Sequence, residues 1–306
     1  MIDVYPELSA VYALVSPLGD RAVFNNPSDP DYVGVLTDHS GFDSPEIREE
    51  AENRPAMDGG LNGPFLFGRR PMTMTVKVLN PASQIERGAR VAKLQNVVLN
   101  CLRDDGVLSW TLSNGQSVYT RVRCQSPLRL SGAWQKEFLI GMVAEDPHFF
   151  SVVSKRASSA DPTGELGDRV GMTFPFRPPL AFDAAGYPDI KASVVSVVND
   201  GTATTYPVVM LDYASAFAYT YVLLQNLTTG EYLKFNSGLV GPTSLRIDFS
   251  ERTITGPAAA NRYGVIDTVE STWWGLVPGV NRLAVRLVST TFGYPTFSVN
   301  YRDAWL

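Results

Sequence analysis

The chain has 306 residues, 44% hydrophobic and 19% charged, with a formal net charge of −5. That length suits two domains with real cores, and the charged fraction is too low for a disordered chain. Residues 1–165 hold 16 Lys/Arg against 20 Asp/Glu and the remainder hold 10 against 11; neither half has the basic excess of a phosphate-binding surface, so nucleic acid is not an expected partner. No run approaches the length of a membrane span, and the N-terminus lacks the basic and apolar parts of a signal peptide. Cys101 and Cys124 are the only cysteines. Both read as buried thiols rather than a bridge, which fits folding in a reducing compartment.

Residues 9–24 hold two short apolar runs around a turn at Pro17-Leu18-Gly19-Asp20. Residues 25–63 are rich in Asn, Asp, Pro, Gly and Glu, with an acidic cluster at Asp43, Glu46, Glu49, Glu50, Glu52 and Asp58. A weakly apolar insert of this length is either disordered or an arm that lies on another surface. Arg69-Arg70-Pro71 then leads into an alternating strand, Met72 to Val78.

The stretch Asn80 to Gly106 is the only long helix to be read in the chain. Ser83 and Glu86 have the spacing of a capping box. Val91, Leu94, Val98, Cys101 and Leu102 form an apolar stripe, with Arg87, Lys93, Asn96, Asn100 and Arg103 opposite. Gly106 is placed to end the helix in a left-handed conformation. The stripe needs a sheet to cover it.

Beyond the helix the chain reads as strands. Val107–Leu112 and Val118–Cys124 flank the hairpin signal Asn114-Gly115, and Leu128–Leu130 and Phe138–Val143 follow. Breakers crowd residues 155–190 and mark a domain junction. Eight strand candidates come after it: Ala192–Val198, Val208–Asp212, Tyr219–Leu224, Tyr232–Phe235, Ser244–Asp248, Thr253–Ile254, Leu283–Val288 and Phe297–Tyr301. Their spacing predicts an antiparallel β-sandwich. The expected domains are 1–155, a junction at 156–190, and 191–306.

Several stretches, in their order, resemble the distal tail proteins of siphophages. In the first half they are Asn53-Arg54-Pro55-Ala56-Met57-Asp58-Gly59, Gly68-Arg69-Arg70-Pro71, the helix, and Trp134…Phe138…Ala144-Glu145-Asp146-Pro147. In the second half they are Asn199-Asp200-Gly201-Thr202-Ala203 leading to Tyr206-Pro207, Thr229-Gly230-Glu231, Ile247-Asp248, and Trp273 through Asn281. The resemblance implies a mostly β chain: an N-terminal β-sandwich or split-barrel domain with one long α-helix, then a galectin-like antiparallel β-sandwich. It implies a homohexameric ring that continues the tail tube at the distal end of the tail in the virion, after assembly in the host cytoplasm. The outer domains would meet baseplate, tail-tip, fibre or receptor-binding proteins. It implies no catalysis and no cofactor. The alternative is a carbohydrate-binding module that attaches to a host surface glycan.

The candidate subunit interface is drawn from the polar insert and the arginines after it: Phe42, Ile47, Glu49, Glu50, Arg69 and Arg70. The apolar residues Val33, Val35, Leu36, Phe42 and Ile47 would anchor the arm on a neighbouring copy. The acidic cluster would face arginines chosen from Arg69, Arg70, Arg121, Arg123 and Arg129. Trp273 and Trp274 offer a glycan platform, unless at least one fills the sandwich core. Neither His39 nor His148, the only histidines, lies beside a nucleophile-elbow pattern. Glu145, Asp146 and His148 are metal-ligand types, yet their closeness around a proline reads as a strand-ending turn. No metal site is expected.

Overall fold

The computed structural model describes residues 6–43, 45–53, 60–79, 81, 83–112, 115–129, 137–159, 189–213, 219–236, 243–289 and 296–306. The chain divides into two compact units, one of Met1–Val153 with Ala304–Leu306 and one of Ser154–Asp303.

The first unit contains β1 (Val11–Val15), β2 (Arg21–Phe24), β3 (Tyr32–Ser40), β4 (Ile47–Asn53), β5 (Gly60–Phe67), β6 (Arg70–Lys77), α1 (Gln84–Arg103), β7 (Gly106–Thr111), β8 (Ser117–Cys124), β9 (Glu137–Ala144) and β10 (Phe149–Ser151). Seven strands pair in the order β8-β7-β1-β2-β3-β6-β9, and a β8–β9 pairing closes them into a barrel. Leu128 is buried beside the barrel but belongs to no strand, so the expected strand there is absent among the described residues. The alternation in β6 faces Met72, Met74 and Val76 inward.

Strand β3 corrects the reading of the polar insert. Val33 and Leu36 lie in the barrel core, and β3 pairs parallel with β2 and antiparallel with β6. Asn25 makes this return possible. It adopts a left-handed conformation (φ 66°), its Nδ2 donates to the carbonyls of Leu8 and Ala10, and its Oδ1 accepts from the Leu36 N–H at 2.7 Å. Gly41 (φ +83°) then turns the chain where a Cβ would lie 2.0 Å from the Pro71 carbonyl.

The helix begins as its sequence indicates: the Ser83 hydroxyl accepts from the Glu86 N–H at 3.1 Å. Leu94, Val97, Val98 and Cys101 are buried, with Val91 and Leu102 packed beside them. Full burial of each such aliphatic side chain contributes roughly 1.5–3 kcal/mol, which holds α1 on β2, β3 and β8. The helix ends differently from expectation. Asp104 is the cap in an extended conformation, and Gly106 opens β7. Glycine is needed there for space, since a Cβ would lie 2.5 Å from Cys101 Sγ and 2.7 Å from the Val15 carbonyl oxygen.

The second unit contains β11 (Lys155–Ser158), β12 (Asp189–Asn199), β13 (Val208–Tyr213), β14 (Tyr219–Asn226), β15 (Tyr232–Asn236), β16 (Thr243–Asp248), β17 (Thr253–Thr255), β18 (Gly279–Ser289) and β19 (Thr296–Tyr301). A five-stranded sheet, β11-β19-β13-β16-β17, and a four-stranded sheet, β12-β18-β14-β15, share one core. All their pairings are antiparallel, and this is the expected sandwich. Lys155 ties β11 to the residue after β12 and to the end of the unit by ion pairs with Asp200 and Asp303. The last strand, β20 (Ala304–Trp305), belongs to the first unit, where it pairs with β10 and buries Trp305 in the barrel core.

Candidate assembly surfaces

Strands β4 and β5 form a two-stranded ribbon of their own, hydrogen-bonded to no other strand among the described residues. Their register puts Ile47 opposite Phe67 and Arg48 opposite Leu66, with an irregularity between Glu49 and Ala51. The base of the ribbon is tied by the Gly68 N–H, which donates to the Glu46 carbonyl at 2.6 Å. Ile47 is 53% exposed, Leu66 55% and Phe67 37%. Cross-strand partners share a face and successive residues alternate, so partly exposed apolar side chains fall on both faces of the ribbon. A ribbon of two strands is marginal in water without a surface to lie on. Glu49 and Glu50 lie on β4. Leu66 and Phe67 escaped the sequence reading, although the run Phe65-Leu66-Phe67 before Gly68 carries the signal.

Two of the expected interface residues are used inside the unit. Phe42 is 1% exposed and packs edge-on against Trp110, with His39, Tyr12 and Phe149 around it. Arg70 is fully buried. Its Nε donates to the Pro147 carbonyl at 2.9 Å, its Nη1 to the Phe42 carbonyl at 3.0 Å, and its guanidinium lies 4.2 Å over the Phe149 ring. Neither offers surface to a neighbour, because a charge this buried is held by its carbonyls and by the ring face. Arg69 is outside: its side chain is 69% exposed and pairs with Glu145 at 2.8 Å. Arg123 is occupied by Asp105 and Asp104 of its own unit.

The two tryptophans part company. Trp274 is 1% exposed, its Nε1 donates to the Leu224 carbonyl at 3.3 Å, and its ring lies 4.1 Å from that of Phe249. Trp273 is half-buried, nearly parallel to the exposed Tyr263 ring at 6.3 Å and edge-on to Phe249. His148 shares a 2.6 Å hydrogen bond with Asp146. Burial pushes the Asp146 pKa up, but the bonds from His148 outweigh it and leave the carboxyl below its ordinary value. His39 sits among Tyr12 and Phe42. Among the described residues no group of three His, Cys, Asp or Glu side chains is arranged to hold a metal, and no helix is long and apolar enough to cross a membrane.

Residues 200–305 match the family described as "Siphovirus-type tail component, C-terminal domain". No curated protein sequence matches the chain. Among solved structures, the Dit (gp 19.1) protein of phage SPP1, titled a paradigm of the hub adsorption apparatus in phages infecting Gram-positive hosts, is similar with a TM-score of 0.60 at 14% identity, covering 97% of this chain and 100% of that one. Chains of the phage P2 baseplate in its activated conformation, with Ca and with Sr, give a TM-score of 0.45 at 11% and 10% identity, each covering 95% of this chain and 97% of theirs. The family model spans residues 200–305 and so speaks for the second unit, while the likeness to the SPP1 protein is one of fold along the chain.

Proposed function

We propose that the protein is a non-enzymatic structural component at the distal end of a long non-contractile phage tail, where copies close into a ring of six. The hub role named for the SPP1 protein supports this reading, as does the family of the second unit. In it the ring joins the tail tube to tail-tip, baseplate and host-recognition proteins, after assembly in the host cytoplasm. The β4–β5 ribbon is the observation that carries the ring. Its Ile47 and Leu66 are more than half exposed, and a second copy in head-to-tail order covers such side chains on every subunit equally. Ile47, Leu66 and Phe67 would anchor it, while Arg69 and the acidic side chains of β4 would register it. Light scattering and negative-stain microscopy of the purified chain test the proposal. Six copies of the 33.5 kDa chain give a ring of about 200 kDa, and a monomer at every concentration would count against it.

A second reading concerns the sandwich. The stacked Trp273 and Tyr263 rings support a glycan platform on the same protein. Calorimetric titration with host surface polysaccharide should give binding that Trp273→Ala abolishes. No heat from the wild type would remove this reading without touching the first.

A further inference from the structure

We propose that Cys101 and Cys124 form a disulfide that staples α1 to the barrel wall when the protein meets an oxidised thiol. Cys101 lies in the last turn of α1, Cys124 ends β8, and both are buried as free thiols in one core. The register of β7 and β8 brings them together. Gly106 stands opposite Val122, and Cys101 Sγ lies so close over Gly106 that a Cβ there would be 2.5 Å from it. Val122 and Cys124, two apart on β8, share its inward face. The helix thiol is thus set down beside the face from which Cys124 projects. The two thiols hydrogen-bond to each other, which lowers the Cys101 pKa and raises that of Cys124.

Cys101 lies in the last turn of α1 and is the thiol that opening of the helix end exposes, which sets the order of the chemistry. The Cys101 thiolate attacks one sulfur of a small disulfide such as oxidised glutathione, forming a mixed disulfide and releasing one thiolate. Cys124 then loses its proton and attacks the Cys101 sulfur, forming the internal bond and releasing the second glutathione thiol. The protein gives up two protons and two electrons, and the reagent takes them up as two thiols. Both sulfurs are buried, so the first step waits on opening of the last turn of α1. The bond would leave the reduced fold free to assemble and lock it afterwards.

The test uses the full chain with excess oxidised glutathione in a concentration of urea that leaves the fold intact. We expect a mass loss of about 2 Da, no thiol titratable after denaturation, and a melting temperature raised on the order of 5–10 °C and restored by dithiothreitol. Cys101→Ala should instead end with a free Cys124 or one glutathione adduct and no rise. Wild-type chains that end as glutathione adducts or disulfide-linked dimers would overturn the proposal. So would an internal bond that lowers the melting temperature.

Discussion

Replacing Trp305 tests the most unexpected connection in the fold, the return of the chain end to the first barrel. Trp305 is fully buried there and its backbone pairs with that of Phe149. Trp305→Ala keeps the backbone pairing and empties the indole site, which costs about 3–5 kcal/mol when the surroundings relax only partly. For a unit of this size each kcal/mol moves the midpoint by about 2–4 °C, so the barrel should melt roughly 6–20 °C lower. Trp305→Phe separates volume from polarity. The Nε1 of Trp305 is buried with no hydrogen-bond partner among the described residues, and removing that donor recovers about 1–3 kcal/mol against the volume lost. The phenylalanine variant should therefore fall within about 1.5 kcal/mol of wild type. Hydrogen exchange read by mass spectrometry in urea separates the units, with peptides over Val97 and Leu108 reporting the barrel and peptides over Val209 and Val285 the sandwich. Faster exchange confined to the sandwich, or no change in either, would refute the assignment of Trp305 to the barrel.

Leu94→Ala should cost the barrel about 2–5 kcal/mol, while Lys93→Ala one position earlier should cost under about 1 kcal/mol, as equilibrium urea unfolding would report. The hydrogen bond from Lys93, opposed by slight burial and aided by the charges of Lys93 and Arg21, holds the Asp31 carboxyl below its ordinary value. Its contribution is therefore present above the unfolded-state pKa and lost as pH falls through the lower folded one. Asp31→Asn should weaken the protein slightly near neutral pH and match wild type under acid conditions, as urea midpoints measured across that range would show.

Local patterns made much of the fold legible. The β1–β2 turn, with Gly19 at φ +90°, the Met72-Met74-Val76 alternation and the Ser83 cap each act over a few residues. Eight of the nine strands of the sandwich announced themselves by alternation and turn residues, and only β11 was missed. The rest depended on partners remote in the chain. Strand β3 reads as polar because Gly34, Thr37 and Asp38 dilute Val33 and Leu36; a Cβ at Gly34 would lie 2.4 Å from the Lys77 carbonyl oxygen. Arg70 looked like a surface charge, since its carbonyl partners come from residues 28 and 77 positions away. Strand β20 has two residues, too few for any period, and only its pairing with β10 reveals it. Of the expected interface residues, Ile47 and Arg69 are exposed, and Phe42 and Arg70 are buried in the barrel.

Ring formation by the β4–β5 ribbon is tested most directly by solution mass, with the barrel left intact. Removing the whole segment from Ser28 to Met57 would also remove β3 and confuse assembly with folding. Substituting Ile47→Asp and Phe67→Asp changes two exposed side chains that face each other across the ribbon. Their burial on a neighbour is worth about 1.5–3 kcal/mol each, and an unpaired carboxylate placed there adds a desolvation cost. Light scattering of both proteins at matched concentrations gives the answer. The wild type should have the mass of a ring of six, and the double variant should be a monomer with an unchanged melting temperature. A double variant that still closes the full ring would contradict the role given to the ribbon and move the interface elsewhere on the barrel.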